Sequence, residues 1–134
     1  MKLPEELQFI ENARMPQKTT TARLDGQVCI VTGATSGVGY EIAKRLAEGG
    51  AHLILVCRNA EKAERVKAEI TGLFVTRVDL VQADFSNLDE VQVAASQILH
   101  QFPVINVLIN NAGMHLTKRT LTADGFETAF AVNH

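Results

Sequence analysis

The 134-residue sequence predicts an α/β fold: a doubly wound parallel sheet with helices on both faces. Three observations carry this. The runs "QVCIVT" (27–32), "HLILVC" (52–57), "RVDLVQADF" (77–85) and "PVINVLIN" (103–110) are mostly apolar without strict alternation, as strands covered on both faces are. The stretches between them repeat apolar residues at helical spacing. Elements therefore alternate βαβαβαβα, and right-handed crossovers place the strands in the order 3-2-1-4.

Residues 1–24 read as a polar extension with one short helix at 4–13, and 25–134 as the folded domain. After the first strand, Val38, Ile42 and Leu46 form a helical stripe that Gly49 and Gly50 end. After the second, Asn59 is placed to cap a helix that Gly72 ends, with Ala63, Val66 and Ile70 on its inner face and a Glu61–Arg65 pair outside. Ser86 opens the next helix in an S-x-x-D pattern with Asp89; Leu88, Val91, Ala94 or Ala95, and Ile98 face inward. In "TADGFETAFAVNH", Phe126, Phe130 and Asn133 share one helical face, which predicts a buried Asn133.

Net charge is −2, which gives no electrostatic hold on nucleic acid or on an anionic membrane. No apolar run approaches the roughly 18 residues of a membrane span, and the N-terminus lacks a signal-peptide core. Cys29 and Cys57 stand alone in apolar runs, without metal-ligand spacing, so they read as buried free thiols of a cytoplasmic protein.

The chemistry sits in "TGATSGVG" (32–39), directly after a strand and opening a helix. Gly33 permits the tight turn, Gly37 lets a diphosphate approach bare backbone, and Gly39 lets helix and strand pack closely. The helix N-terminus supplies free N–H groups and about half a positive charge, and Thr35 and Ser36 add hydroxyl donors. A Walker A loop would need Gly-Lys-Ser/Thr where this chain has Gly-Val-Gly. At the end of the second strand, a ribose 2′-hydroxyl calls for an acid and a 2′-phosphate for an arginine. Arg58 stands there, followed by Asn59, which predicts NADP(H) with NAD(H) as the alternative cofactor.

These residues resemble the short-chain dehydrogenase/reductase family. "TGATSGVG" matches its Thr-Gly-x-x-x-Gly-x-Gly signature and "NNAG" (110–113) its second. "VCRNAEKAE" (56–64) and "DGFETAFAVNH" (124–134) are most similar to its retinol-dehydrogenase-like subgroup, typically NADP(H)-dependent. The resemblance implies a Rossmann-type fold. It implies that Gly33, Thr35, Ser36, Gly37, Val38 and Gly39 line the diphosphate and adenosine ribose, and that Asp84 and Phe85 border the adenine. Asn111, Ala112 and Gly113 would back the cofactor, and Asn133 would be the active-site asparagine of a proton relay. The implied substrate is a small-molecule carbonyl or alcohol.

The family's catalytic serine and Tyr-x-x-x-Lys pair lie downstream of that asparagine. Tyr40 and Lys44 have the right spacing but stand on the diphosphate helix, so they read as a decoy. The sequence thus reads as the cofactor-binding half of a longer oxidoreductase, inactive alone, with the edge of strand 103–110 open to association. Two other readings fit parts of it: a non-catalytic NAD(P)-binding or sensing module, and another Rossmann-type enzyme such as a methyltransferase, against which "NNAG" and Arg58 count.

Overall fold

A computed structural model describes residues 4, 7, 8, 13, 15, 16 and 20–134. The expected helix at 4–13 lies largely outside the described residues. The elements are β1 (Val28–Thr32), α1 (Gly37–Glu48), β2 (His52–Cys57), α2 (Ala60–Leu73), β3 (Val78–Gln82), α3 (Leu88–Gln101), β4 (Val107–Ile109) and α4 (Thr128–Asn133). All strand pairs are parallel and the order is β3-β2-β1-β4, as the alternation of elements predicts. Among the described residues, no helix is long and apolar enough to cross a membrane.

The unbroken apolar runs divide between two helical layers. Cys29, Val31, Leu53, Leu55 and Cys57 point to one face and pack with Ala43, Ala47, Ala63, Val66 and Ile70 of α1 and α2. Ile30, Ile54, Val56 and Val81 point to the other and meet Ala94 and Ile98 of α3 and Phe102 just after it. Leu53, Ile54 and Leu55 are fully buried. Each such side chain contributes about 1.5–3 kcal/mol by leaving water.

Helix faces and ends differ in detail from the sequence reading. The buried stripe of α1 is Gly39, Ala43 and Ala47, whereas Val38 is exposed and Ile42 and Leu46 are half-buried. Small residues let the helix lie close to the sheet, and that closeness outweighs the larger side chains one position away. Helix α2 runs through Gly72 and ends at Leu73, because half-buried Phe74 turns into extended backbone and packs on the core. Asn87, not Ser86, caps α3: its Oδ1 accepts from the Asp89 and Glu90 N–H groups at 3.0 and 3.3 Å. On the inner face of α3, Ala94 and Ile98 are buried, while Leu88 is exposed and Val91 half-buried.

Strand β4 has three residues where eight were expected. Asn106 replaces ladder pairing at its start. Its N–H donates to the Val28 carbonyl at 2.9 Å, and its side-chain oxygen accepts from the Val28 N–H at 2.8 Å. No described strand pairs with the outer edge of β4. Beyond β4, Glu127 caps α4 by accepting from the Ala129 and Phe130 N–H groups at 3.1 and 2.7 Å. Phe126, Phe130 and Asn133 are exposed, which corrects the expectation that this face is buried.

Candidate functional site: a cleft at the carboxyl ends of the strands

The carboxyl ends of β1, β2, β3 and β4 open onto one cleft of about 450 Å³. Its floor is the turn from β1 into α1. Gly33 has φ 68°, and a Cβ there would stand 2.8 Å from the Ala112 Cα. Gly37 has φ 58°, yet a Cβ there would meet nothing within 4 Å. A Cβ on Gly39 would lie 2.6 Å from the Gly33 carbonyl oxygen and collide with the Asn111 amide. Gly33 and Gly39 thus allow close packing, and Gly37 allows the left-handed turn. Ser36 stands at the N-cap of α1 without making a side-chain cap, and the first turn of α1 has no acid. The first N–H groups of the helix and the Ser36 hydroxyl are therefore open to an anion.

The second wall comes from β2 and α2. Arg58 and Asn59 follow the last residue of β2, and Asn59 caps α2 by accepting from the Lys62 N–H at 2.8 Å. The Gln82 amide donates to the Arg58 carbonyl at 3.1 Å, which fixes that backbone from β3. Asp84 and half-buried Phe85 close this side. The Asp84 carboxylate accepts from both the Ser86 hydroxyl and N–H, at 2.7 and 2.8 Å. Those bonds, with a smaller contribution from the Arg58 charge, hold its pKa below the ordinary aspartate value. Glu90 accepts the Asp84 N–H at 2.8 Å and so ties this turn to α3.

The third wall is the segment after β4. Thr32, the one buried polar residue among those described, anchors it. Its hydroxyl oxygen accepts from the Asn111 and Ala112 N–H groups at 3.0 and 2.9 Å. The Asn111 amide donates to the Thr32 and Gly33 carbonyls at 3.0 and 3.3 Å. Met114 completes the wall.

Of the residues predicted from sequence, Gly33, Thr35, Ser36, Val38 and Gly39 line the cleft on the α1 side. Arg58, Asn59, Asp84 and Phe85 line it opposite, and Asn111, Ala112 and Gly113 behind. Two do not line it. Gly37 sets the turn from just outside, on the flank of α1. Asn133 clamps Met114, accepting from its N–H at 2.7 Å and donating to its carbonyl at 2.9 Å. The sequence reading missed Lys62 and Val132 as lining residues, and the anchoring role of Thr32. For Lys62 a signal existed: it stands four residues after Arg58, at the start of a helix leaving the site.

The Tyr40–Lys44 pair is not part of the cleft. The Tyr40 hydroxyl hydrogen-bonds to Glu69 on α2, which pushes its pKa up to about 12. The Lys44 ammonium lies 5.0 Å from the centre of the Tyr40 ring and pairs with Glu41. Cys57 lines the cleft but is buried, and burial raises its thiol pKa; Cys29 is likewise a buried free thiol.

A glycine turn onto a bare helix start, at the carboxyl ends of a 3-2-1-4 parallel sheet, defines an α/β nucleotide-binding protein. The chain belongs to the short chain dehydrogenase family, which residues 27–134 match. It is 42% identical over 117 residues to retinol dehydrogenase 11 of Homo sapiens, covering 87% of this chain and 37% of that protein. It is 40% identical over 106 residues to the chloroplastic short-chain dehydrogenase TIC 32 B of Brassica napus, covering 78% and 33%. Among solved structures it superposes on a metagenomic short-chain oxidoreductase in complex with NADP. The TM-score is 0.72 at 33% identity, over 82% of this chain and 51% of that one. The L-sorbose reductase of Gluconobacter frateurii, complexed with NADPH and L-sorbose, matches with a TM-score of 0.66 at 29% identity, over 75% and 38%. The chain spans about a third of the length of the curated relatives it matches.

Proposed function

We propose that this chain is the dinucleotide-binding portion of an NADP(H)-dependent oxidoreductase acting on a small-molecule carbonyl or secondary alcohol, and that residues 1–134 bind the dinucleotide without turnover. The observation that carries the reading is the cleft's division of labour. Bare amides and hydroxyls lie at the start of α1, and an arginine stands at the end of β2 where NAD(H) would call for an acid.

The residues present fit such a cofactor. Ser36, Thr35 and the first N–H groups of α1 receive the diphosphate. Arg58 offers its guanidinium fork to a phosphate on the adenosine ribose. Phe85 and Asp84 flank the adenine, in a turn wired by Ser86 and Glu90. Asn111, Ala112 and Gly113 form the backing wall that Thr32 holds. When bound, NADP(H) would supply the hydride. Asn133 keeps the Met114 end of the wall in place and is the family's active-site asparagine by resemblance. The chain's single tyrosine, Tyr40, faces Glu69 rather than the cleft, which supports the absence of turnover.

Dissociation constants for NADPH and NADH, measured with Arg58→Ala beside the unmodified chain, test the reading. The expected result is a loss of about tenfold for NADPH, ~1.4 kcal/mol, with NADH little changed. An NADPH preference that survives in Arg58→Ala refutes it.

A further inference from the structure

Outside the cleft, one directional contact joins the two helices that frame it. Helix α1 meets the sheet through Gly39, Ala43 and Ala47, and α2 through Ala63, Val66 and Ile70. Small side chains let α1 lie close but leave its lateral position loosely keyed, because burial is non-directional. The Tyr40 ring is half-buried against this layer, and its hydroxyl donates to the Glu69 carboxylate of α2. Among the described residues this is the one side-chain hydrogen bond between α1 and α2. Both partners lead back to the cleft. The Tyr40 N–H donates to the Ser36 carbonyl at 3.4 Å, closing the first turn of α1, which bears the open N–H groups. Helix α2 runs unbroken from Ala60 to Leu73, and its start follows Arg58 and is capped by Asn59. Glu69 is exposed and water would satisfy either group. The consequence of the bond is therefore where it holds the two helices.

We propose that Tyr40 is a positioning residue for dinucleotide binding: its bond to Glu69 fixes the spacing between the amides at the start of α1 and the wall at the start of α2. This rests on the dinucleotide reading of the cleft. A dinucleotide meets both walls at once, the diphosphate on one and the adenosine ribose on the other, so its affinity depends on their spacing. The brace serves NADPH and NADH alike and carries no part of the preference between them.

Titration of the purified chain with both dinucleotides, for Tyr40→Phe, Glu69→Ala, Glu69→Gln and the double variant Tyr40→Phe/Glu69→Ala, tests it. Tyr40→Phe keeps the ring and removes the donor. It is expected to weaken NADPH and NADH by the same factor, roughly threefold, the scale of an exposed polar pair. Glu69→Ala should do likewise, while Glu69→Gln keeps an acceptor oxygen and should bind as the unmodified chain does. The double variant should lose no more than either single one. The chain has one tyrosine and no tryptophan, so phenol absorbance reads the bond itself. The bond to Glu69, then burial and the Glu69 and Glu41 charges, push the Tyr40 pKa up to about 12. At about pH 10 the folded chain should hold almost no phenolate, and Glu69→Ala up to about half. Unchanged Kd values in Tyr40→Phe, losses that add in the double variant, or a phenol already half ionised at about pH 10 in the folded unmodified chain overturn the assignment. If Arg58→Ala abolishes the NADPH preference while Tyr40→Phe changes neither Kd, the cofactor reading stands and the brace falls. If the unmodified chain binds neither dinucleotide, both fall.

Discussion

The two flanks of β1 are built by different forces. On the β2 side, five residue pairs join the strands and fully buried Leu53, Ile54 and Leu55 separate two helical layers. On the β4 side, only three pairs form and Leu108 remains 57% exposed. What fixes the two ends of β4 is polar: the paired bonds of Asn106 to Val28 before it, and the Thr32 hydroxyl and the Asn111 amide after it. One wall of the cleft is therefore positioned by non-directional burial and the other by a directional network. Burial holds the ends of β2 and β3, which carry Arg58 and lead to Asp84. Hydrogen bonds hold Asn111–Gly113, so that wall should be the more easily displaced.

The largest expected effect tests burial on the first flank. Leu55→Ala should cost about 2–5 kcal/mol in urea unfolding, against no more than about 0.5 kcal/mol for Leu108→Ala. Equal costs would erase the contrast. Next comes the network: Thr32→Val leaves two N–H groups without their acceptor and should cost about 1–3 kcal/mol. It should also weaken NADPH binding, while Thr32→Ser keeps both. A Thr32→Val protein of unchanged stability would show that the second wall does not depend on this hydroxyl.

Smaller effects follow at the helix starts. Asn59→Ala and Asn87→Ala should each cost ~1 kcal/mol, and Ser86→Ala less helix stability than Asn87→Ala. Smallest is a pH effect at Asp84. Its folded pKa lies below the unfolded value, so its contribution is present above about pH 4 and is lost as pH falls through the folded value. Asp84→Asn should flatten the acid limb of a stability–pH curve, and an unaltered limb would remove Asp84 from that account. At the open edge, Leu108→Lys should lower concentration-dependent association in sedimentation, because a charge blunts an unpaired strand.

The same division explains what the sequence made legible. Strand order, the glycine turn and the free thiols were readable because apolar runs and glycines act locally. Asn87 displaced Ser86 as the cap because Asp84 engages the Ser86 hydroxyl and N–H, a competition no spacing rule encodes. Gly72 did not stop α2, since the pull of Phe74 toward the core decides that end. β4 is shorter than its apolar run implies because Asn106 takes the place of ladder pairing. Asn133 was expected to be buried from its spacing to Phe126 and Phe130, but all three are exposed, and its amide grips the Met114 peptide instead. Lys62 lines the cleft four residues after Arg58, where α2 starts at its rim.

The most direct measurement is a calorimetric titration of the folded chain with NADPH, paired with a melting curve. The account predicts one binding site, tighter for NADPH than for NADH. A saturating excess of about 100 times Kd would add ~2.7 kcal/mol of stability and raise the melting temperature by several degrees. A sample shown to be folded by circular dichroism, yet with no heat of binding and an unmoved melting curve for either dinucleotide, would contradict it.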